Sequence, residues 1–254
     1  MASTFCQIFR ELFRSRDKGQ GRQAAEVGQT CRTMFVGHYS VAFAAKSERN
    51  KIPLWVLFVA VQLLDFLWAP FVLLGIEKVR IVPGITATSP LDLYYMPYTH
   101  SLVGALVWSM LAALVYKLVR GARASSSAAL IVALAVFSHW ILDLIVHRPD
   151  LAIYDDTLKV GFGLWNYKGV EFVVEIALLV ISILLYLKRN VIKSAGRKIG
   201  IVVFGVVLIL VQTQTTFWGR PLSSNRVVAI TALIFYTLFA GVAFFLEKPL
   251  PRES

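Results

Sequence analysis

The stretch AALIVALAVFSHWILDLIVH, Ala128 to His147, decides how this chain folds. Its first half is wholly apolar, and its length matches the roughly 20 residues that a helix needs to cross a bilayer. Its second half carries His139, Asp143 and His147 at i, i+4 and i+8. With about 3.6 residues per turn, that spacing stacks imidazole, carboxylate and imidazole along one helix face. Ionisable groups are costly in hydrocarbon, so such a stripe needs partners, water or a metal ion. Neutral imidazole nitrogen and carboxylate oxygen are the ligands that zinc, manganese and iron accept.

Working outward, the 254 residues are 57% hydrophobic and only 16% charged, with a mean hydropathy of +0.66. That is too apolar for an ordinary water-soluble domain. Six runs reach bilayer length: 53–76, 99–119, 128–147, 169–187, 201–218 and 227–245. A seventh, 34–45, is short and interrupted by Gly37, His38, Tyr39 and Ser40. The expected fold is all-α: a polytopic membrane helix bundle of six long transmembrane helices plus one short N-terminal membrane segment. Within the first long run, Pro70 removes an N–H and loosens the helix one turn back, near Phe66. Residues 1–32 read as a basic arm, in which Phe5, Ile8, Phe9, Leu12 and Phe13 recur at helical spacing and suit a bilayer surface. Residues 33–150 then hold the ionisable helices, and 151–254 the remaining ones, mainly scaffold.

The formal net charge of +11 does not point to nucleic acid. Lys and Arg sit in the arm and in short loops beside apolar runs, where topology and anionic headgroups place them. No basic helix with interleaved aromatics accompanies them. Cys6 and Cys31, both in the arm, make neither a disulfide framework nor a thiolate metal site. Basic residues cluster in the arm, in 46–51, 117–123 and 188–198 and at the C-terminus, which places those segments in the cytoplasm and the loops 77–98 and 148–168 outside. The side of the arm stays open, because its charge favours the cytoplasm while a shared site asks His38 to enter from the outer half.

Other ionisable residues fall at matching depth. Asp65 lies within the first long run, and His100 follows Tyr94-Tyr95-Met96-Pro97-Tyr98-Thr99 at the start of the next. Taken singly, His100 reads as an interfacial histidine; beside the others it joins a set. His38, Asp65, His100, His139 and Asp143 supply five candidate metal ligands, enough for one ion or for two sharing a carboxylate. Glu171 and Glu175, four apart, put two acids on one face of the fourth long run. Glu171 can pair with Arg148 or Lys168, whereas Glu175 and His147 are the candidate proton carriers in catalysis.

The order Gly37-His38, Leu64-Asp65, Thr99-His100-Ser101 and Ser138-His139-x3-Asp143 resembles the bacterial inner-membrane metal-dependent hydrolases, also described as LexA-binding inner-membrane putative hydrolases. The resemblance covers about residues 34 to 150. More distantly, the ligand order looks like that of zinc-dependent phospholipase C enzymes. The resemblance implies a multi-pass protein of the bacterial cytoplasmic membrane that hydrolyses a phosphoester of a lipid or lipid-linked substrate. It also implies a divalent metal, zinc before manganese or iron, as cofactor. A bound divalent ion acidifies its water and polarises a phosphoryl oxygen. The rival expectation is a divalent-cation or proton-coupled transporter, since intramembrane His and Asp also line such pathways. Transporters tend to repeat a broken helix in each half, and no such repeat is visible here.

Overall fold

The computed structural model describes residues 36–219 and 223–247, so the basic arm expected at 1–32 lies outside the described residues. Eight α-helices dominate: α1 Gly37–Ala45, α2 Leu54–Val61, α3 Leu63–Leu73, α4 Leu102–Arg120, α5 Ser126–Val146, α6 Lys168–Arg189, α7 Ala195–Trp218 and α8 Asn225–Glu247. Five of them, α4 to α8, are long and apolar enough to cross a membrane, as expected for a multi-pass membrane protein. The sixth expected helix differs. Run 53–76 forms α2 and α3, which meet at a 50° bend. The bend falls at Gln62, whose φ of −112° and ψ of 9° leave the helical region, while Pro70 sits inside α3 without ending it. The short segment becomes α1, whose nine residues are too few to span.

Serine starts three of the long helices: the hydroxyls of Ser101, Ser125 and Ser194 accept the backbone N–H three residues on. In α5, Ala128, Ala129, Val132, Ala135 and Val136 are buried. Small side chains along one face let the backbones of α1, α2 and α4 approach it closely. Aromatic rings fill the centre: Phe43 meets Phe58 with centroids 5.3 Å apart, Phe58 meets Phe204 at 5.7 Å, and Phe204 meets Phe239 at 5.9 Å. Leu and Val on the outer faces of α4, α6 and α7 stay exposed, as a lipid-facing surface requires. Segments from the two expected halves interleave, α1 packing on α6 and α2 and α3 on α8.

The ends of the bundle differ. At one end the basic loops meet: the Val191 N–H donates to Glu48 at 2.7 Å, the Asn190 amide donates to the Lys46 carbonyl, and Lys46 pairs with Glu247 at 3.0 Å. At the other end lie two antiparallel hairpins not expected from the sequence, β1 Lys78–Ile81 with β2 Leu91–Tyr95, and β3 Leu151–Ala152 with β4 Lys159–Val160. They are tied together where the Ala87 and Thr88 N–H groups donate to the Trp165 carbonyl and Lys159 donates to the Tyr94 carbonyl. Arg148 pairs with Asp92 and Asp150, and Arg80 pairs with Asp92, closing the same end with charge.

Candidate metal centre

Beneath the hairpin end, the five expected ligands converge. His38 comes from the first turn of α1, Asp65 from the first turn of α3, His100 from the residues before α4, and His139 and Asp143 from successive turns of α5. His38 Nε2 lies 3.2 Å from Asp143 Oδ1, and His139 Nε2 lies 3.2 Å from Asp143 Oδ2. His100 Nε2 is 3.3 Å from Asp65 Oδ1 and 3.7 Å from Asp143 Oδ2. An ion bonded at about 2.1 Å separates neighbouring donors by about 3.0 Å at right angles and about 3.4 Å at tetrahedral angles. The spacing of this cluster is of that kind. Two overlapping ligand triads result, His38–His139–Asp143 and Asp65–His100–His139.

The hydrogen bonds on the far side of the rings decide what the near side offers. His139 Nδ1 lies 2.7 Å from the Val61 carbonyl. A carbonyl only accepts, so Nδ1 carries the proton and Nε2 of the neutral ring presents a lone pair. The bend at Gln62 turns that carbonyl toward α5. His100 Nδ1 lies 2.7 Å from Thr99 Oγ1, which in turn donates to Glu77 Oε2 at 2.6 Å. With its proton committed to Glu77, the threonine oxygen accepts from His100, whose Nε2 is also a lone pair. Lone pairs facing carboxylate oxygens repel unless a cation sits between them. A separate proton on each Nε2 would make imidazoliums of both His100 and His139, whose rings are only 5.4 Å apart. One shared metal ion satisfies the set at once. Buried Asp143 Oδ2 has no hydrogen-bond partner among the described residues, which fits an oxygen reserved for an ion.

Several supporting groups carry no metal-ligand signature in the sequence. The Tyr236 hydroxyl of α8 donates to Asp65 Oδ2 at 2.7 Å, and Trp140 Nε1 donates to the His100 carbonyl at 3.0 Å. His147, expected as a proton carrier, is held through Nδ1 by Asp150 Oδ1 at 2.9 Å, and its Nε2 stands 3.7 Å from Asp143 Oδ1. Its ring also lies against that of Trp165, tilted by 34° with centroids 4.1 Å apart. Glu175, the other expected proton carrier, is buried beside the backbone of Val36 and Gly37 at the start of α1, one residue from His38.

All six of these His and Asp residues line a cavity of about 110 Å³. Glu171 lines it too, and Glu175 does not. Among the described residues Glu171 takes no arginine: Arg148 is engaged by Asp92 and Asp150, and Gln212 Nε2 of α7 donates to Glu171 Oε1 at 3.4 Å. The last two helices are therefore more than scaffold, since α7 and α8 furnish Gln212, Thr215, Thr216 and Tyr236 to the cavity wall. Compared with known proteins, the chain matches no family model, and no curated protein or solved structure shows significant similarity to it.

Proposed function

We propose that this protein is a membrane-embedded, metal-dependent hydrolase that cleaves a phosphoester of a lipid or lipid-linked substrate, with zinc as its metal and the bacterial inner membrane as its site. The observation that carries the reading is the convergence of three imidazoles and two carboxylates on one cavity, with the ring protons of His100 and His139 turned away from it. The resemblance in residues 34 to 150 supports the same reaction. His38, Asp65, His100, His139 and Asp143 would hold the ion, which supplies Lewis acidity toward a phosphoryl oxygen and acidifies a water molecule. His147, oriented by Asp150, moves a proton at Nε2 on the rim of the cluster. Trp68, Leu91, Met96 and Val228 on the facing walls exclude bulk water and suit the apolar part of a lipid.

The bend between α2 and α3 at the ligand cluster favours a second reading, cation transport, because transporters coordinate ions where a spanning helix is broken. Three measurements separate the possibilities. Elemental analysis of detergent-purified wild type should find a transition metal that His139→Ala and Asp143→Asn have lost, while both variants still express and insert. Metal-dependent release of product from phospholipids supports the hydrolase. Uptake of the metal into sealed vesicles without product release would replace it with a transporter, and a metal-free wild type that cannot be loaded would overturn both.

A further inference from the structure

Besides the ligand cluster, the cavity lining holds a polar pair to which hydrolysis assigns no task. Glu171 and Gln212 both line the cavity, with only 3% and 2% of their surfaces exposed. They are bonded to each other through Gln212 Nε2 and Glu171 Oε1, and the same Gln212 Nε2 also reaches Thr216 Oγ1 at 3.3 Å. That leaves Gln212 Oε1 without a hydrogen-bond partner among the described residues, whereas the Glu171 carboxyl also shares a hydrogen bond with that of Glu175. Buried oxygens lose water without compensation unless a donor arrives. The Glu171 carboxyl is held from both sides, by the Gln212 amide and by Glu175, and it orients the amide.

We propose that Glu171 and Gln212 form a subsite for a hydrogen-bond-donating polar head, an amine or a hydroxyl, of the molecule that occupies the cavity. Calling that molecule a lipid substrate rests on the hydrolase reading; the subsite itself does not. The amide of Gln212 is held by two acceptors on its nitrogen side, which fixes its oxygen as an acceptor in the cavity wall. A head bearing an N–H or O–H group meets that waiting oxygen. A quaternary ammonium head, which has no donor, leaves it unmatched. Sites built to hydrogen-bond a donor reject analogues that lack it far more strongly than apolar pockets reject a missing methylene.

The test measures binding of dihexanoyl phosphatidylethanolamine, phosphatidylglycerol and phosphatidylcholine to the full-length, metal-loaded protein by tryptophan fluorescence, since Trp68 and Trp165 line the cavity. Phosphatidylethanolamine and phosphatidylcholine carry the same net charge and differ in their donors. The ethanolamine head, the glycerol head or both should bind at least about 10-fold tighter than the choline head. Preference for ethanolamine alone identifies an amine, and preference for glycerol alone a hydroxyl. In Glu171→Met with Gln212→Met the preference should collapse, while metal content and melting temperature are kept. Should that pair fail to fold, Gln212→Met alone should still reduce the preference. Equal binding of all three heads overturns the proposal. So does a preference that persists in the variants, because it would then reflect the bulk of choline. Selective binding without product release from any lipid sinks the hydrolase reading and leaves the subsite; product release without selectivity does the reverse.

Discussion

At the scale of single residues, the candidate metal cluster depends on groups that would not touch an ion. Asp65 is held by the Tyr236 hydroxyl at 2.7 Å, and His100 by the Thr99 hydroxyl that Glu77 in turn orients. Partners of this kind fix the direction of a ligand's lone pair, and their loss costs about 10- to 100-fold in metal affinity. Tyr236→Phe should therefore weaken metal binding by about that factor in a chelator competition, with helix content unchanged. Thr99→Val should do the same through His100; undiminished affinity in both variants would mean that the two hydroxyls are only packing. Cluster members were legible from sequence because ionisable residues stand out inside apolar runs. Their supports were not. A tyrosine in an apolar helix reads as packing, and Glu77 stands at the start of a loop, 22 positions before the threonine it orients. Gln212 stands beside threonines near a helix end, where a single amide carries no binding signature.

At the scale of elements, the end of α5 is completed by the second hairpin and the turn after it. The Phe162 N–H donates to the Leu144 carbonyl, and the Gly163 N–H to the His147 carbonyl at 2.6 Å, so carbonyls left open at the helix end find donors. Gly161 makes this approach possible. A Cβ there would lie 2.5 Å from the His147 carbonyl oxygen and closer still to that of Arg148, and its φ of +157° lies outside the range favoured by side-chain-bearing residues. Gly161→Ala should lower stability by about 1–3 kcal/mol, the usual cost of overpacking. It should also loosen metal binding, because it displaces the segment that seats His147 and Asp150. Gly241→Ala, within α8 and with open space around it, serves as the control and should be neutral or slightly stabilising. Equal melting temperatures for the two variants would show that the hairpin does not press on α5. No sequence pattern announced these hairpins: strands of two to five residues carry no measurable alternation. The bend in the first long run was misplaced for a related reason. Pro70 marks a missing hydrogen bond, whereas the break at Gln62 serves a contact 78 positions away, between Val61 and His139.

At the scale of the whole molecule, the apolar runs and the basic loops gave the bundle and its polarity in advance, while the packing of early helices against late ones had no sequence signal. The half-helix α1 shows how His38 enters the cluster. It runs from the ligand cluster at His38 toward the basic end, where Arg189 donates to the Ala44 carbonyl and Lys46 meets Glu247. His38 therefore reaches the cluster although α1 crosses only part of the bundle. The cluster lies beneath the hairpins, at the end opposite the basic loops, so the positive-inside rule puts the cavity in the outer half of the membrane. Two single cysteines test this, in a background where Cys6 and Cys31 are serine. Tyr154→Cys replaces a side chain 71% exposed at the hairpin end, and Val191→Cys one 70% exposed at the basic end. A membrane-impermeant maleimide added to intact bacterial cells should label the first and reach the second only after permeabilisation. The reverse pattern would place the hairpins in the cytoplasm and turn the cavity toward substrates of the inner leaflet, against the excess of Lys and Arg at the opposite end.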